Sequence, residues 1–109
     1  MASVKTKRGD LPVNYGHFAL AQFSDDRDIS MDEVYNLDLA KMSYMDIMTF
    51  LYIGLKDGAR KNGVDCAVKN VEDFCDMIDD DQDVVGEIFT VFSNYRKGKA
   101  DKEASDKKK

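Results

Sequence analysis

At 109 residues, 43% of them hydrophobic, the chain suits one small domain with a modest core. Its net charge of −5 is unevenly spread, with +3 over residues 1–8 and +4 over 96–109, which leaves −12 for 9–95. Phosphate binding depends on clustered Lys and Arg, so an acidic body argues against nucleic acid and anionic lipid as partners and favours a protein or a cation.

The amino terminus, MASVKTKRGD, is basic but has no apolar stretch behind it, so it does not read as a secretory signal and a cytosolic location is expected. Within residues 1–15, Gly9-Asp10 separates two short runs and Pro12 lacks a backbone donor, which suits a small edge hairpin or an extended arm. GHFALAQFSDD then reads as a short helix that starts at His17 and is ended by the polar SDDRD. Ser30 with Glu33 matches a capping box, so a helical turn should begin at Met31. Ser43 with Asp46 repeats the device and opens the longest helix, for which Gly63 is a suitable stop. Asn70 caps VEDFCDMID, the run DDDQD breaks that helix, and its negative charge favours the start of the next, QDVVGEIFTVFSNYRKGK. The expected fold is therefore mainly α, with four to five helices over residues 16–97. Beyond Gly98 the chain has no large apolar residue, and a disordered Lys-rich tail at 98–109 is expected.

The central segment, SYMDIMTFLYIGLKDGARKNG, holds the most informative pattern. Its apolar run is interrupted by Asp46 and Thr49 and closed by Lys56 and Asp57, well short of the roughly 20 apolar residues that a membrane span needs. On a helical wheel, Tyr44, Met45, Ile47, Met48, Leu51, Tyr52 and Leu55 form one broad apolar side. Phe50 and Ile53 break the pattern by projecting from the polar side. Either a neighbouring element such as the amino-terminal arm wraps over them, or they are exposed and meet another chain. Gly54 and Gly58, one turn apart on the apolar side, each cost about 1 kcal/mol in a helix interior relative to alanine, and the expected return is close approach of a second helix.

Enzyme chemistry has few parts to work with. His17 is the only histidine, which leaves no zinc cluster and no hydrolytic triad. Asp79, Asp81 and Asp83 alternate as in a calcium loop, but Val84 and Thr90 stand where such a loop needs Gly and Glu. No metal or cofactor is expected. Cys66 and Cys75 read as reduced thiols without a functional role. The methionines, among them Met42, Met45, Met48 and Met77, suit core packing or an adaptable binding face.

Three blocks, LPVNYGHFALAQF, MDEVYNLDLAKMSYMDIMTFLYIGLKDGARKNG and VEDFCDMIDDDQDVVGEIFTVFSNY, together resemble the small tail assembly chaperones of long-tailed bacteriophages, over nearly all of Gly9 to Arg96. The resemblance implies a mostly helical, nonenzymatic protein of the host cytoplasm. Such a protein keeps the tape measure protein soluble, helps recruit tail tube subunits and is absent from the finished particle. It makes Phe50 and Ile53, with Met45 and Tyr52 at the edge of the broad face, the expected contacts for the client or for another copy of the chaperone. A small head or tail completion protein of the virion is the alternative, since it too would be helical and self-associating.

Overall fold

The computed structural model describes residues 2–96, side chains included except at Leu39, and the helical backbone from there to Lys107. The tail at 98–109, expected to be disordered, lies outside the residues whose side chains are described. A two-stranded antiparallel hairpin, β1 (Ser3–Thr6) and β2 (Gly9–Pro12), leads into α1 (His17–Arg27) and the short α2 (Met31–Tyr35). A single 3-10 turn at Leu39–Lys41 precedes α3 (Tyr44–Lys61), and α4 (Val71–Asp79) and α5 (Asp83–Lys107) complete the domain. The protein is mainly helical, with a short hairpin at its start.

The helix starts follow from their caps. The hydroxyls of Ser30 and Ser43 accept the backbone N–H of Glu33 and Asp46, each at 3.1 Å, and the Asn70 side chain accepts that of Asp73 at 2.8 Å. Each satisfies one amide that the first helical turn would otherwise leave unpaired. The end of α3 is equally explicit, because Gly63 takes the left-handed conformation (φ 66°) and donates to the Arg60 carbonyl while Val64 donates to that of Ala59. That is a Schellman stop, which glycine makes at least strain. The end of α1 differs from expectation. The polar SDDRD does not end α1, which runs on to Arg27 and closes where Asp28 turns left-handed (φ 53°). Arg27 is thereby carried over α3, where it pairs with Asp46 at 3.0 Å and donates to Thr49 at 3.0 Å.

The central helix α3 is buried on nearly every side in its second half, from Phe50 to Ala59. Phe50 lies at the middle of an aromatic cluster, stacked on Tyr15 (4.8 Å, 21°) and meeting Phe23 and Phe92 edge-on at 5.0 and 4.8 Å. Each such pair contributes about 0.5–1.5 kcal/mol beyond the area it buries. Its rings come from the arm, α1, α3 and α5, so one contact set fixes four parts of the chain.

The arm earns its place in the core through the two glycines of α3. A side chain at Gly54 would occupy the position of the Tyr15 ring, and one at Gly58 would collide with the Pro12 carbonyl. The close approach predicted by Gly54 and Gly58 is therefore real, but the partner is the arm from Pro12 to Tyr15 and not a second helix. Hydrogen bonds lock the arm down. The Asn14 N–H donates to the Gly54 carbonyl at 3.0 Å, and the Tyr15 hydroxyl donates to that of Phe50 at 2.9 Å. Full burial pushes the Tyr15 phenol well above its ordinary pKa, which keeps it a donor. At the hairpin tip, Arg8 grips Asp73 of α4 with its two terminal guanidinium nitrogens (2.8 and 3.0 Å), and the Lys7 backbone N–H donates to Asp81 at 3.1 Å.

Candidate functional site

The structure separates the residues expected to meet a partner. Phe50 and Ile53 are 0% and 3% exposed, so the expectation that they contact a client is overturned. Tyr15 of the amino-terminal arm stacks on Phe50, Ile53 belongs to the same buried core, and the polar residue next to them is covered as well. Asp57 is buried at 3% exposure, its carboxylate accepting from Asn14 of the arm at 2.6 Å and from Arg60 at 2.8–2.9 Å. Tyr52 is half-buried and its hydroxyl donates to the Lys69 carbonyl at 3.1 Å, tying α3 to the loop before α4. Burial, and after it the neighbouring Cys66 and Asp73, raise the Tyr52 phenol above its ordinary pKa. Of the four residues expected to contact a partner, Met45 alone is strongly exposed, at 59%.

Met45 is not isolated. Tyr44 beside it is 73% exposed, and together they place two large apolar side chains in water at the start of α3. The cap at Ser43 directs the chain into the helix immediately before them. The adjoining Met42 and Asp46 line a groove of about 630 Å³ between α1, α2, the 3-10 turn and the start of α3. Its apolar lining is Phe23, Ile29, Leu37 and Met42, and its charged lining is Asp32, Glu33, Asp38, Asp46, Arg27 and Lys41.

Each wall has a local cause. The left-handed turn at Asp28 brings Ile29 back against the core, and its N–H donates to the Ser24 carbonyl at 3.1 Å. The Ser30 cap sets Asp32 and Glu33 in the first turn of α2 with exposed side chains, while Val34 of the same helix is fully buried. Asp38 accepts the Ala40 N–H at 3.0 Å and so shapes the 3-10 turn. Arg96 of α5 donates to the carbonyls of Tyr35 and Leu37, each at 3.2 Å, bracing the far edge. Arg27 closes one end, its terminal nitrogens engaged by Asp46 and Thr49 and its Nε buried without a hydrogen-bond partner among the described residues.

Sequence reasoning missed this groove, although the two caps that frame it were legible. The signal that could have found it is the spacing of Ile29, Leu37 and Met42, apolar residues set among acids in a stretch too broken for one long helix. The groove thus sets four apolar side chains beside four carboxylates and two basic groups. Among the described residues no cluster of His, Cys, Asp or Glu could hold a metal ion, and no helix is long and apolar enough to cross a membrane. Burial, reinforced by Asp79 and Asp76, pushes the Cys75 thiol up, away from the reactive thiolate. Compared with family models, curated proteins and solved structures, the chain shows no match.

Proposed function

We propose that this protein is a tail assembly chaperone of a long-tailed bacteriophage, acting in the host cytoplasm to keep the tape measure protein soluble and to help bring tail tube subunits to it. The observation that carries the reading is the exposure of two large apolar side chains, Tyr44 and Met45, at the start of α3 in an acidic body. A long amphipathic client aggregates through its bare apolar stripe. A small protein that covers part of the stripe, and whose net charge of −5 repels other complexes, keeps it dispersed. The resemblance of the three sequence blocks to that family supports the same reading. Client contact is assigned to Tyr44 and Met45 and not to Phe50 and Ile53, which the protein uses for its own core.

Co-expression with the tape measure protein tests this. The intact protein should raise the soluble fraction of the client and co-purify with it. Tyr44→Ser combined with Met45→Ser should abolish both effects while leaving the thermal midpoint nearly unchanged, since exposed substitutions usually shift stability by less than about 0.5 kcal/mol. A client equally soluble with and without the protein would end the proposal. So would finding the protein in stoichiometric amounts in purified particles by mass spectrometry, which is the behaviour of a completion protein.

A further inference from the structure

The groove beside Tyr44 and Met45 combines two chemistries. Phe23, Ile29, Leu37 and Met42 give it apolar walls, while Asp32, Glu33 and Asp38 line it with exposed side chains opposed by Lys41. Asp46 is already paired with Arg27. We infer that this groove docks an amphipathic helix of another protein whose apolar stripe is flanked by Lys and Arg. The inference rests on the assembly-chaperone reading for the identity of the client, and it adds the chemistry of the segment recognised.

Size, shape and charge lead to this occupant. A volume of about 630 Å³ falls within the 300–1,000 Å³ typical of ligand clefts, but the groove is open along one side and bordered by helices, which suits side-chain anchors from a helix laid across it. Charge selects among helices. Three carboxylates against one lysine, in a body that carries −12 over residues 9–95, repel an acidic stripe and attract a basic one.

The test uses the full chain and three dye-labelled peptides, the first two designed as helices of about five turns. One peptide carries leucines on one face and lysines on the rest, a second has glutamates in place of the lysines, and a third is this chain's own segment from Lys97 to Lys109, basic but without large apolar residues. Fluorescence anisotropy should show the leucine–lysine peptide binding at least tenfold more tightly than either of the others, and weakening with added salt. The triple variant Asp32→Asn, Glu33→Gln, Asp38→Asn keeps the shape of each side chain, including the acceptor that Asp38 presents to Ala40. Three exposed pairs, each contributing a few-fold, should make it bind that peptide roughly tenfold more weakly with an unchanged melting curve. Equal binding of the lysine and glutamate peptides overturns the inference, as does a triple variant that binds like the parent. Tight binding of the tail peptide overturns the need for apolar anchors. If the charge test fails while Tyr44→Ser with Met45→Ser still loses the client, the chaperone reading survives and the basic-helix inference alone is lost.

Discussion

Replacing Gly58 by alanine should destabilise the protein, although the same change in an open helix stabilises it. The general gain from removing a helical glycine is about 1 kcal/mol. At Gly58 the new methyl group would collide with the Pro12 carbonyl and press on the Val13 nitrogen, both backbone atoms, so no rotamer change relieves the clash. The arm has to lift. Lifting it strains the bond from Asn14 to the Gly54 carbonyl, the bond from Asn14 to buried Asp57, and the Tyr15 stack on Phe50. Overpacking costs about 1–3 kcal/mol and the weakening of even one buried hydrogen bond about 1 more, so the net loss should be roughly 1–3 kcal/mol after the helical gain. Gly86 provides the internal control. It lies exposed in α5 with nothing within 4 Å of where a methyl would go, so Gly86→Ala should stabilise by about 0.5–1 kcal/mol. Urea unfolding read by far-ultraviolet circular dichroism measures both, provided the slopes are unchanged. For a domain of this size each kcal/mol moves the thermal midpoint by about 4–8 °C, so the two variants should depart from the parent in opposite directions. If Gly58→Ala raises the midpoint as Gly86→Ala does, the arm is not seated on α3 and the account of the buried Phe50 and Ile53 fails.

Three further outcomes follow from the same packing. Phe50→Ala removes the ring shared by Tyr15, Phe23 and Phe92 and should cost about 3–5 kcal/mol, enough to unfold much of a marginal domain; a loss below 1 kcal/mol in urea titration would contradict its burial. Asn14→Ala takes a donor from the buried Asp57 carboxylate and should cost about 1–3 kcal/mol, with Asn14→Asp worse still because it sets two carboxylates together. The Arg8 guanidinium, and after it the Lys69 N–H, hold the Asp73 carboxyl at about 2, below its ordinary 3.8. The folded state therefore gains from Asp73 above the ordinary value and loses that gain as pH falls from about 4 to about 2. Arg8→Gln should bring the Asp73 midpoint, followed by carboxyl-carbon NMR, back toward the ordinary value and make acid destabilisation shallower over that interval.

Local rules made most of the helices readable. Ser30, Ser43 and Asn70 accept the amides that end-capping requires, and Gly63 closes α3 with the left-handed turn that its position suggested. These signals act within a few residues, so the sequence alone carries them. The candidate groove was hardly legible, since its walls come from α1, α2, the 3-10 turn and α3, and only the folded chain sets Ile29, Leu37 and Met42 around one space.

Helical periodicity by itself determined that α3 has apolar residues nearly all round and that two of them, Phe50 and Ile53, need cover. It also marked Gly54 and Gly58 as places of close approach, because a glycine in a helix interior is otherwise unfavourable. Tertiary structure decided what does the covering. The arm from Pro12 to Tyr15 lies across those glycines and against Phe50, so the suspected client contacts are core, and Tyr44 and Met45 remain as the exposed apolar pair. A helical wheel reports which direction a side chain points but not what stands in that direction, and here the answer comes from residues about 40 positions away in the chain, such as Asn14 on Asp57.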